Sequence, residues 1–192
     1  SLRINQCFFM NSLWNVPISS VISLSPERAI ILIRAIFRAE CAYAKLGPLA
    51  LTISDRLMTP DGGVDAEVNT FHGQVPEDCI FQSGITGFQI KSGNTFKPWT
   101  SNSIRGELLN SKGELCSEVE RLIKRKGHYS IICTGHDLTP EQRNDAKALI
   151  VAILAEKGFE ELEAKVDVLG ASQIAEFSER YPGTASLLTA DP

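Results

Sequence analysis

The sequence predicts an α/β fold, a mixed central sheet flanked by helices, and three observations predict it. Two strong helix starts, Ser25-Pro26-Glu27 and Thr139-Pro140-Glu141-Gln142, each open a long stretch of helical periodicity. Short apolar runs bounded by Gly, Pro and polar residues stand between and after them and read as strands. The resulting order, α-β-β-β-α-β-α-β-α, interleaves the two element types as layered α/β domains do.

Each element has a local reason. Ser25 supplies a hydroxyl N-cap, Pro26 the first helical position and Glu27 an acid in the first turn, and Ala29 to Ala44 follows with helical spacing. After the Gly47-Pro48 break, Leu49 to Ser54 reads as a short strand. Thr59-Pro60-Asp61-Gly62-Gly63 is turn chemistry and leads into a strand from Val64 to Thr70. Gly87-Phe88-Gln89-Ile90-Lys91-Ser92 is the third strand, and 97–113 carries no clear periodicity. Ser117 to Lys126 is a helix stopped by Gly127. Tyr129 to Thr134, with Ile131-Ile132-Cys133, suits a strand buried on both faces. The capping box at Thr139 begins a helix to about Lys157, Ala164 to Leu169 is a last strand, and Ser172 caps a helix to about Arg180. Tyr181-Pro182-Gly183 breaks that helix. The organisation expected is an N-terminal extension over 1–24, one domain over 25–180 and a linker over 181–192.

Composition narrows the class. With 192 residues, 43% of them hydrophobic, the chain can bury one substantial core. The net charge of −4 argues against a general polycation, yet 91–126 holds eight Lys/Arg against four Glu, a local surplus that phosphate binding could use or that could simply be a solvated face. Five cysteines are scattered and never spaced as CxxC, which points to reduced thiols and a cytoplasmic protein. The three histidines form no zinc motif. The apolar patch Cys7-Phe8-Phe9-Met10 is too short for a membrane span or signal peptide. A start at Ser1 and an end at Asp191-Pro192 lead us to expect a segment of a longer protein.

The residues with chemistry converge on one reaction type. Phosphodiester hydrolysis requires an activated water and charge neutralisation at phosphorus, commonly through Mg²⁺ held by oxygen ligands, with a lysine beside it. Gln89 and Lys91 are two apart on a strand and share a face, with Ile90 turned the other way. Asp65 opens the preceding strand just after Gly62-Gly63, so pairing of the two strands would bring its carboxylate beside Gln89. Glu67 shares its face, as an accessory ligand or a solvated strand acid. Glu40 lies on the apolar stripe of the first helix, with Ile33, Ile36 and Phe37. A carboxylate aimed at a core needs compensation, from a metal or Lys91 on one reading and from Arg34 or Arg38 on the other.

Together, Glu40, Gly62-Gly63-Val64-Asp65 and Phe88-Gln89-Ile90-Lys91 resemble the Mrr-like branch of the PD-(D/E)XK nuclease superfamily, in which Gln-x-Lys replaces the usual Glu-x-Lys. The resemblance covers roughly 25–180. It implies a restriction-endonuclease-like fold and a Mg²⁺- or Mn²⁺-dependent endonuclease acting on double-stranded DNA. Asp65, Gln89, Glu40 and the Ile90 carbonyl would hold the metal, and Lys91 would orient or deprotonate the attacking water. Lys97-Pro98-Trp99, Gly106-Glu107-Leu108-Leu109, Gly127-His128-Tyr129 and the closing Gln173 to Gly183 pattern are similar to effector domains of bacterial antiphage proteins, in which a STAND-type NTPase follows. Lys97 and Arg105 are the expected phosphate contacts, Trp99 is expected to pack on the sheet with a place along the DNA path as its alternative, and a homo-oligomer is open. Two other readings stand beside this one: a DNA-binding or scaffolding module without catalysis, and a structure-selective junction nuclease.

Overall fold

The computed structural model describes residues 15–53, 63–71, 73–159 and 165–189. Its elements are α1 (Ile18–Ile22), α2 (Pro26–Tyr43), a 3-10 turn (Pro48–Ala50), β1 (Leu51–Ile53), β2 (Ala66–Asn69), β3 (Ile85–Lys91), α3 (Ser101–Leu108), α4 (Ser117–Lys124), β4 (His128–Cys133), α5 (Pro140–Glu156), β5 (Val166–Leu169), α6 (Ala171–Glu179) and α7 (Pro182–Thr189). Five strands form one mixed sheet in chain order, β1-β2-β3-β4-β5. The first three are antiparallel neighbours, and β3, β4 and β5 run parallel. The expected α/β class with a helix-flanked mixed sheet is therefore the observed one.

The strong caps form as their chemistry dictates. Arg28 N–H donates to Ser25 Oγ at 3.3 Å with Pro26 in the first turn. At α5, Gln142 N–H donates to Thr139 Oγ1 and Thr139 N–H to Gln142 Oε1, which satisfies two otherwise unbonded donors at once. At α6 the cap lies two residues before the expected Ser172: Gly170 takes that position, and its N–H donates to Gln173 Oε1 at 2.9 Å.

Alternation along the strands divides the apolar residues between two cores. Ala66, Val68, Phe88, Ile90, Ile132 and Leu169 face α1, α2, α6 and α7. Tyr129, Ile131, Cys133, Val166 and Val168 face α3, α4 and α5. Both parallel connections, α3–α4 and α5, cross on that second face, as right-handed crossovers require when strands are laid down in one direction.

Three segments depart from expectation. α3 emerges within 97–113, whose signal was weak because only Ile104 and Leu108 are buried and no side chain caps its start. Residues 16–24, expected as an extension, contribute Val16, Val21 and Leu24 to the first core. Residues 181–189, expected as a linker, hold α7. Pro182 has no N–H to leave unbonded at a helix start, so the residue that ends α6 also opens α7. The Thr184 hydroxyl donates to Ser178 O and Tyr181 O, both at 2.7 Å, and closes the junction. The 59–62 part of the predicted turn and the Cys7–Met10 patch lie outside the described residues. Among the described residues no helix is long and apolar enough to cross a membrane.

Glu40 ties these parts together. It is fully buried in α2, where its Oε2 accepts from Ile80 N–H at 2.9 Å and its Oε1 from the Tyr181 hydroxyl at 2.5 Å. Arg180 approaches the same carboxylate at 3.5 Å and also donates to Asp78 O. Burial first, and then Glu40, pushes the Tyr181 phenol upward. Burial also holds the neighbouring Cys79 thiol up at about 12. Replacing Tyr181 with Phe removes a donor from a buried carboxylate. We expect it to cost about 1.5–3 kcal/mol in urea unfolding, and an unchanged midpoint would refute the role given to this bond.

Candidate active site

The site is built where β2 begins and β3 ends. Extending the register Ala66↔Phe88 by one step sets Asp65 beside Gln89. The link is made twice. Asp65 N–H donates to Phe88 O at 2.7 Å, and Ile90 N–H donates to Asp65 Oδ2 at 2.6 Å. The second bond aims the carboxylate along the strand pair. Because residues two apart share a face, Gln89 and Lys91 stand on the same side as Asp65, while Phe88 and Ile90 pack toward α2.

On that side a cavity of about 930 Å³ opens between the strand ends and the α3–α4 connection. Asp65, Gln89, Ile90 and Lys91 line one wall, and Gly106-Glu107 with 109–111 and 114–118 line the other. It lies at the carboxyl end of β3, between an antiparallel and a parallel neighbour. Gln89 is only 6% exposed, and its Oε1 is buried without a hydrogen-bond donor among the described residues. A buried amide oxygen of this kind is costly unless something donates to it or coordinates it. Lys91 Nζ forms an ion pair with Glu107 Oε2 at 2.5 Å. Gly63, which also lines the cavity, is held by Tyr129, whose hydroxyl donates to Gly63 O at 3.3 Å. Burial, followed by the Glu107 and Asp65 carboxylates, raises that phenol well above its ordinary value.

Hard oxygens dominate this donor set, which suits Mg²⁺ or Mn²⁺ more than a soft metal. Among the described residues no group of three or more His, Cys, Asp and Glu could hold an ion by itself. A cation here would therefore depend on the Gln89 amide oxygen and on water beside carboxylate. The orphaned Oε1 and the nearby Asp65 fit that role.

The expected residues separate into two groups. Asp65, Gln89, Ile90 and Lys91 are brought together. Glu40 is not: it sits in the α2 core, on the other face of the sheet, with both carboxylate oxygens bonded to protein donors. The demand for compensation was read correctly, but Tyr181, Ile80 and Arg180 meet it rather than a metal, Arg34 or Arg38. Glu67 pairs with Arg121 at 2.6 Å and Arg125 at 3.7 Å, outside the cavity. Arg105 places its guanidinium on Glu156 of α5 at 2.6 Å, and neither it nor Lys97 lines the cavity. Trp99 packs edge-on against His136, as a structural aromatic would. Glu107, which lines the cavity and pairs with Lys91, is not among the residues the sequence singles out. Its segment had no assigned element, so no face could be given to it.

Gly63 shows why a glycine precedes Asp65. Its φ is +86°, and a Cβ there would lie 2.7 Å from Val119 Cγ2 and 3.0 Å from the Glu107 carbonyl. Gly63→Ala should therefore lose at least about 2 kcal/mol in urea unfolding, from left-handed strain plus overpacking. Gly47→Ala, at φ −71° with open space around it, should stay within about 0.5 kcal/mol. Equal midpoints for the two variants would refute the steric argument. Comparisons with family models, with curated proteins and with solved structures found no match.

Proposed function

We propose that the chain is a Mg²⁺- or Mn²⁺-dependent endonuclease of the PD-(D/E)XK type, hydrolysing phosphodiester bonds of double-stranded DNA in the cytoplasm. One observation carries this reading: Asp65, Gln89 and Lys91 come from two adjacent strands onto one cavity wall, and the Gln89 oxygen is buried there without a donor. The narrower assignment, an Mrr-like effector domain of an antiphage protein with a downstream NTPase, is carried by the sequence motifs.

Asp65 and Gln89 would hold the ion, which supplies Lewis acidity at phosphorus and a more acidic bound water. Asp65 is kept in place by the Ile90 N–H, so its carboxylate needs little reorganisation. Lys91, half-buried at the edge of the cavity, can donate to a phosphate oxygen or to the attacking water. The α3–α4 connection forms the opposite wall.

Supercoiled plasmid incubated with the protein and Mg²⁺ should be nicked and linearised. Asp65→Asn and Lys91→Ala should each slow that conversion by about 10²-fold or more, the scale for removing one preorganised electrostatic group. If both variants cut at the wild-type rate, the site is misassigned. Salt-sensitive DNA binding with no cleavage by the wild type would favour the binding-module reading instead.

A further inference from the structure

The cavity carries a charge imbalance. Among the described residues, Asp65, Glu107, Glu114, Glu118 and Glu120 line it, against Lys91 as the single basic residue of that lining. Glu118 is bonded to Arg121 and Glu120 to Lys124, both along α4, and Glu114 accepts from Asn110 at 3.3 Å. Asp65 and Glu107 are the two carboxylates set beside Gln89 and Lys91. A phosphodiester entering between them would meet like charge in a partly desolvated space unless a cation stood there. Gln89, more than nine-tenths buried, lines the same space, and its carbonyl oxygen has no donor among the described residues.

We propose that Glu107 is the second carboxylate of the divalent-cation site formed with Asp65 and Gln89, and that its ion pair with Lys91 is the cation-free arrangement of that site. This rests on the reading that the cavity binds Mg²⁺ or Mn²⁺. Without a divalent ion, the Lys91 ammonium neutralises Glu107 at 2.5 Å. With the ion bound, Glu107 shares its charge with the cation, and Lys91 is released toward the substrate phosphate. Cation binding and lysine availability are thereby coupled through one carboxylate. The position is favourable: Glu107 lies in the last turn of α3, where the carbonyl end of the helix attracts positive charge. Gly106 beside it adds no side chain to the cavity. The role that the sequence offered to Glu40 is filled from a different helix on the opposite face of the sheet.

The test titrates MnCl₂ into the protein and follows free Mn²⁺ by electron paramagnetic resonance, with circular dichroism to confirm folding. Glu107→Gln should weaken Mn²⁺ binding by about tenfold or more, and Glu107→Asp, which keeps the charge but shortens the reach, should weaken it too. Glu114→Gln removes a charge from the same cavity and should change affinity less than threefold, roughly the effect of a screened neighbour. In reductively ¹³C-methylated protein the Lys91 resonance, identified by its loss in Lys91→Arg, should move on adding Mg²⁺ to wild type and stay still in Glu107→Gln. Wild-type affinity in Glu107→Gln, equal losses in Glu107→Gln and Glu114→Gln, or no Mn²⁺ binding by the wild type would each overturn the proposal. Plasmid assays run in parallel separate the two readings. Mn²⁺ bound through Glu107 with plasmid left intact keeps this site and removes the nuclease. Cleavage that survives in Glu107→Gln at wild-type Mn²⁺ affinity does the reverse.

Discussion

Where β2 begins, its attachment to β3 runs through a side chain as well as the backbone. The Ile90 N–H that would otherwise seek a strand carbonyl is taken by Asp65 Oδ2 at 2.6 Å, while the Asp65 N–H is bonded to Phe88 O. This exchange fixes the register of the two strands and the direction of the carboxylate together. Strand alternation then follows without freedom: Phe88 and Ile90 must enter the α2 core, so Gln89 and Lys91 must face the other side. A slip by one residue would bury an ammonium and expose two large apolar side chains. The cost of that exchange is what keeps the polar residues aligned.

The sequence already disclosed much of this arrangement, for reasons that are local. Period-two alternation, a hydroxyl-Pro-acid helix start and a capping box are short-range signals, and they located α2, α4, α5 and the three central strands. Asp65 and Gln89 were also accessible, because pairing of consecutive strands is the commonest connection in such folds. Glu40 and Glu107 show where that reasoning ends. Helical periodicity correctly put Glu40 on a buried stripe, yet its compensating donors come from positions 40 and 141 residues away. Glu107 reaches the cavity only because α3 packs on α5 and ends beside β3, a tertiary fact with no local signature. α7 was hidden for a different reason, since a proline that terminates one helix is equally suited to begin another.

Electrostatics reshape the basic stretch in the same way. The surplus of positive charge in 91–126 disperses into ion pairs: Arg105 with Glu156, Arg121 with Glu67 and Glu118, Lys124 with Glu120, and Lys91 with Glu107. Exposed pairs of this kind contribute little stability each, but they lower the positive potential that a linear charge count suggests. The face around the cavity is therefore more acidic than its segment.

The packing of α1 and α7 has a topological consequence. Val16 N–H donates to Glu179 Oε1 of α6 at 2.8 Å, and Arg28 of α2 donates to Leu187 O of α7 at 3.0 Å, so the first described segment is fastened to α6 and the last to α2. Both ends of the described residues, near 15 and 189, thus lie in the layer behind the sheet, while the acidic crevice opens in front. A tether, a neighbouring module or a solid support joined at either of these ends would hold the molecule from its back. Such an attachment could pull on both at once and load the α2 layer without standing in the path of anything entering the crevice.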